Sequence, residues 1–178
     1  MPPLATELQS SSDILNLWTG FRKEVLECLK KTPADKFSQR PESGWSISEI
    51  GEHLYLTQWS FSRSVPITVG GKLGSDTDAQ DQLNYREMRA GLTKPRGFKN
   101  PESVSPLSNY TLEQLLPLLD KSHKKLEEVL AKYSKADLQK RGYEHPAFGL
   151  LNMFNYSWVL ALHEGAHLFA LKQKTSGY

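Results

Sequence analysis

HPAFGLLNMFNYSWVLALHEGAHLFAL, residues 145–171, decides how the rest of the chain reads. The stretch predicts a long buried helix that starts near Phe148. On it, His163 and His167 stand four residues apart, a little over one turn, so the two imidazoles share a face. With Glu164 between them they complete H-E-x-x-H, a pattern in which two histidines bind zinc and the glutamate acts as general base. Only LFALKQKTSGY follows, with no His, Asp, Glu or Cys, so a third protein ligand must come from upstream. A protease would also need strands and an edge on which to lay a substrate, and the patterns here are mostly helical. The expectation is a metal site, without a protease around it.

Working outward, the amphipathic segments are few and long. A first helix is expected from about Ser12 or Asp13, either of which can cap it, to Lys31. Its core face carries Ile14, Leu17, Trp18, Phe21, Val25, Cys28 and Leu29. Residues 1–11 read as a loose lead-in. A second helix opens at Trp45-Ser46-Ile47-Ser48-Glu49-Ile50, where Ser46 and Glu49 form a capping box and Trp45 and Ile50 a hydrophobic staple. These residues are assigned to helix positioning, with no part in chemistry. The second helix is expected to stop around Val65, before Pro66.

His53 shares its face with Ile50, Leu54, Thr57 and Phe61, which turns its ring inward and makes it the natural third ligand. A lone core histidine satisfied by one hydrogen bond is the plainer reading. Two further inward histidines reverse that preference, because three buried imidazoles without a cation make an expensive core. His123, at the edge of a third helix (Thr111 to about Tyr133, with Pro117 in its second turn), competes for the role. Its neighbours Lys121, Lys124 and Lys125 argue for water. His145, before a proline, suits an entry turn better than a coordination shell.

Between the second and third helices runs a long connection, residues 66–110, with a short helix expected at Asp81 to Leu92; such a length suits a pocket wall or a lid. Arg86, Arg89, Lys94, Arg96 and Lys99 lie on its later half. Of these, Arg86, Arg89 and Arg96 are candidates to receive an anionic group, although a solvated loop surface is the more ordinary account of such charges. On the last helix Asn152 and Tyr156 are candidates to present polar groups to the same cavity, with ordinary buried hydrogen bonding as the alternative.

The 178 residues fit one domain. A formal charge of +2 with both signs interspersed is too small to imply a nucleic-acid surface, and no apolar run approaches a membrane span. The amino terminus lacks the pattern of a secretory signal, so the expected compartment is the cytoplasm. Cys28, the single cysteine, reads as a small buried hydrophobe. The fold class expected is all-α, an up-and-down style four-helix bundle with one long crossover connection between the second and third helices, and the metal held between facing helices.

In this order and spacing, Trp45-Ser46-Ile47 with His53, then His145-Pro146-Ala147-Phe148-Gly149, then His163-Glu164-Gly165-Ala166-His167 resemble the DinB/YfiT-like superfamily of four-helix-bundle metalloenzymes. The resemblance spans about Ile14 to Lys172. It implies a metal triad at His53, His163 and His167, one divalent metal ion (zinc, nickel or iron), association as homodimers, and a small-molecule substrate. It also implies transferase or isomerase chemistry with a low-molecular-weight thiol such as bacillithiol or mycothiol. Two enzymes remain open on this reading, a thiol transferase and a hydrolase using water activated by the metal with Glu164 as base. A non-catalytic metal-binding or stress-response module is the third.

Overall fold

Residues 8–77, 83, 101–145 and 148–176 are described by the computed structural model of the chain. Among them are four long helices, Ser11–Lys31, Ile47–Val69, Leu112–Lys132 and Met153–Thr175. Apart from Leu83, whose amide donates to Asn155 Oδ1 at 3.2 Å, the short helix expected at Asp81 to Leu92 lies outside the described residues, as do Arg86, Arg89, Lys94, Arg96 and Lys99.

Each long helix starts at a side-chain cap. Ser10, not Ser12 or Asp13, caps the first, and Asp13 is the reciprocal partner in its capping box. Leu8 is already buried and its carbonyl accepts from Lys135 Nζ at 2.9 Å, so the ordered chain begins before the expected lead-in ends. Ser46 caps the second helix through the Glu49 amide at 3.1 Å, and Glu49 returns to the Ser46 amide at 2.8 Å. Ser46→Ala should cost about 1 kcal/mol in denaturant unfolding while leaving metal affinity unchanged; a loss of metal binding in the folded variant would contradict this purely local role.

The second helix runs through Pro66 to Val69, four residues further than expected. A proline near a helix end removes one backbone bond while its φ stays helical, and the buried Val65 and Thr68 hold the last turn on the core.

The last helix starts later than expected, at Met153, with Asn152 as cap. The preceding Gly149–Asn152 is a strand instead (β3). It pairs antiparallel with β2, Arg141–His145, which pairs in turn with the two-residue β1, Ser75–Asp76. Short apolar runs such as Gly149–Asn152 are ambiguous between helix and strand. Gly142 settles the pairing: a Cβ there would stand 1.7 Å from the Leu151 carbonyl oxygen, an approach only glycine permits.

The helix order is not up-and-down. The first and last helices are parallel, with Trp18 against Glu164 and Glu24 against Lys172. The second and third are also parallel, with Gly51 against Leu115 and Gln58 against Ser122. The second runs antiparallel to the last, His53 meeting His163 and Phe61 meeting Tyr156. The first runs antiparallel to the third, Thr19 meeting His123 and Arg22 meeting Leu119. Chain neighbours one and two therefore sit across a diagonal of the bundle, as do three and four.

Two apolar clusters fill the interior. One gathers Ile14, Trp18, Phe61, Leu126, Phe154 and Trp158 near the sheet; the other gathers Val25, Leu29, Ile50, Leu54, Leu119 and Leu168. Along all four helices a buried polar residue falls between them: Arg22, Gln58, Ser122 and Glu164. No helix among the described residues is long and apolar enough to cross a membrane.

Candidate metal centre

The capped second helix brings His53 into the bundle one and a half turns from its start, and the last helix presents His163 and His167 opposite. The ligand atoms of the three lie within 4.8 Å of one another. His163 Nε2 stands 3.3 Å from His53 Nε2 and 3.1 Å from His167 Nε2. Two ligands about 2.0–2.1 Å from a shared cation stand about 2.9–3.4 Å apart for angles between octahedral and tetrahedral, so the two separations from His163 fit.

The protonation pattern also points to a cation. His53 Nδ1 donates to the Val104 carbonyl at 2.7 Å, which leaves a lone pair on Nε2 of the neutral ring. His163 Nε2 carries either a proton or a lone pair. With a proton it can serve His53 but not both neighbours well; with a lone pair it faces that of His53. One contact stays unsatisfied in either case, and a shared positive ion resolves both.

Burial, and then the neighbouring His167 and His53, hold His163 well below the ordinary imidazole value. Burial and then His53 push His167 down to about 3. Burial lowers His53 too, against the opposing bond to Val104. All three are therefore neutral at pH 7, the state that binds metal. In metal-free protein the unfolded chain takes up protons near pH 6.5 that the folded chain refuses. Stability is then full above about 6.5 and falls as pH drops from there toward 3, by at most about 1.4 kcal/mol per pH unit per histidine. Denaturant unfolding of chelator-treated protein at pH 7 and pH 5 should display this slope, and a His163→Asn, His167→Asn variant should lose much of it; equal slopes would contradict the assignment.

Trp45 is more than a staple. Its ring lies 4.8 Å from His53 and 6.0 Å from His167, nearly parallel to the latter, so it covers one side of the cluster. The sequence reading assigned it to helix entry alone, because a residue before a cap carries no sign of what its outer face meets. Val104 was equally hidden, since a backbone carbonyl has no sequence signature.

Glu164 does not fit the role of base. Its carboxylate is 1% exposed and accepts from Arg22 Nε at 2.5 Å, from Arg22 Nη2 at 2.9 Å and from Trp18 Nε1. The offset of about 100° per residue turns it from the histidines toward the first helix. Arg22 was the missed signal: a charge on the first helix's core face, four residues after Trp18 and three before Val25.

His123 lies apart from the three, in the polar layer. It accepts from Gln58 Nε2 at 3.2 Å through Nδ1, and its Nε2 contacts Thr19 Oγ1 at 3.0 Å. Asn152 is consumed as the last helix's cap, accepting from the Asn155 amide at 2.7 Å, about 16 Å up the helix from His163. Tyr156 stacks on Phe61 and packs against Tyr143 and His145. Burial first, and Tyr143 second, push its hydroxyl above the ordinary phenol value, so it is not a proton carrier at neutral pH. A cleft of about 260 Å³ lined by Lys36, Arg40, Ser46 and Lys174 includes none of the histidines and carries no argument about the cluster.

The profile of the DinB superfamily matches residues 16–169. Among solved structures, TT2238, described as a four-helix bundle protein, is 25% identical with a TM-score of 0.60, over 92% of this chain and 98% of its own. YfiT from Bacillus subtilis, described as "a probable metal-dependent hydrolase with an unusual four-helix bundle topology", is 13% identical with a TM-score of 0.62, over 99% of this chain and 93% of its own; at that identity the likeness is one of fold. No match was found among curated proteins.

Proposed function

The chain belongs to the DinB superfamily, and from that footing we propose that it is a divalent-metal-dependent transferase that activates a low-molecular-weight thiol for attack on an electrophile. The observation that carries the reading is the convergence of three neutral Nε2 atoms from His53, His163 and His167. Three imidazoles occupy one side of a cation and leave positions for a ligand, the arrangement of catalytic more than of closed structural sites. A cation bound there would supply Lewis acidity, lowering the pKa of a thiol or of water on its open side.

The choice of thiol over water rests on the carboxylates. Among the described residues the buried ones are Glu49, Glu52 and Glu164. Glu49 is bound to its helix cap, Glu52 accepts from the Leu107 and Ser108 amides at 3.1 and 3.0 Å, and Glu164 is held by Arg22. None of these is left as a general base for water, whereas a thiol, intrinsically far more acidic than water, is deprotonated outright on coordination. Val104 contributes by fixing His53 in the tautomer that offers Nε2, and Trp45 by keeping water from one side. Arg86, Arg89 and Arg96 remain candidates for the carboxylates of a thiol cofactor. The hydrolase reading has the description of YfiT in its favour.

Thiol consumption with a model electrophile, followed for metal-loaded protein, metal-free protein and His163→Ala, tests the proposal. Only the first should exceed the background rate, and Cys28→Ala should match it. Thiol-independent hydrolysis would favour the hydrolase, and metal-independent thiol consumption would sink the transferase.

A further inference from the structure

We infer that the Thr57 hydroxyl is a ligand-binding group of the histidine site, donating a hydrogen bond to the acceptor atom of the small molecule that occupies its open side. The inference rests on the metal reading and adds a contact that the three histidines do not provide.

Thr57 lies one turn beyond His53 on the same inward face, where side chains four residues apart have Cβ atoms about 5–6 Å from each other. It is 9% exposed, and its Oγ1 finds no hydrogen-bond partner. A buried hydroxyl left unpaired destabilises a fold, and native structures seldom tolerate one without a reason. The usual escape for a helical threonine, a bond back to the carbonyl four residues earlier, is not taken here, although Ser62 and Thr32 both take it.

Position says what the hydroxyl serves. The second and last helices run antiparallel, with His53 facing His163 and Phe61 stacking on Tyr156 at 5.9 Å. Thr57, midway between His53 and Phe61, therefore faces the stretch of the last helix between Tyr156 and His163. Trp45 covers the other flank, over His53 and His167. The unpartnered hydroxyl thus lies toward the side that Trp45 leaves open, and a thiolate sulfur or a carbonyl-type oxygen there would meet the Thr57 proton.

The test titrates 2-mercaptoethanol into cobalt-loaded protein and follows the visible cobalt spectrum. Thr57→Val keeps the shape and removes the donor; it should weaken thiol binding by about tenfold or more, the loss of one hydrogen bond to a charged group. Thr57→Ser should stay within about threefold of the parent, and cobalt affinity should be unchanged in both. Metal-free Thr57→Val should unfold at the same or higher denaturant concentration, and Thr57→Ala supplies the same comparison if valine disturbs the packing. Unchanged thiol affinity in the valine and alanine variants, with cobalt bound, overturns the inference alone, as does loss of cobalt affinity in both. Failure of the parent protein to bind cobalt overturns this inference and the metal reading together.

Discussion

Arg22→Met should destabilise the protein by about 3–5 kcal/mol in equilibrium unfolding, because it leaves the Glu164 carboxylate buried and uncompensated. Both side chains of the pair are nearly inaccessible, at 3% and 2% exposure, so water cannot replace the guanidinium. Arg22 also donates to the Leu119 carbonyl at 3.0 Å, and its loss removes a tie between the first and third helices as well. The double variant Arg22→Met, Glu164→Leu should recover most of the deficit, since replacing both members of a buried pair with apolar groups is often neutral. If Arg22→Met alone cost less than about 1 kcal/mol, Glu164 would have a charge partner beyond Arg22 and the Trp18 indole, or access to water, and its exclusion as a base would have to be revisited.

The second large effect concerns metal affinity. His53→Ala should lower it by more than about 100-fold, beyond the 10–100-fold typical of residues that only orient a ligand, while His123→Ala should leave it within a few-fold of the parent. The contrast follows from placement: His53 Nε2 meets His163 at 3.3 Å, whereas both nitrogens of His123 are engaged by Gln58 and Thr19. Competition against a chromophoric chelator reads both affinities. Equal losses, or none in either, would contradict the assignment of the third ligand.

These two predictions divide along what the sequence could disclose. The three histidines were legible because helical periodicity fixes which face a residue occupies, and a capping box fixes where the periodicity starts: Ser46 set the phase that turned His53 inward. Helix existence followed from the same patterns. The role of Glu164 stayed open because a motif fixes spacing but not which neighbour claims the side chain, and that neighbour, Arg22, lies 142 residues away in the chain. The sheet was missed for a related reason. Gly149–Asn152 is too short for periodicity to separate strand from helix, and its partner strand depends on a glycine at 142 whose importance is a backbone approach. Helix order was likewise hidden, since amphipathic stripes say which face is buried without saying against which helix.

Metal K-edge absorption of zinc-loaded protein, prepared without a histidine tag, tests the central claim most directly. The account predicts about three imidazole nitrogens at about 2.0–2.1 Å, no sulfur, and at least one further light ligand from solvent. A shell with one imidazole or none, or a shell containing the Cys28 sulfur, would contradict a site built by His53, His163 and His167.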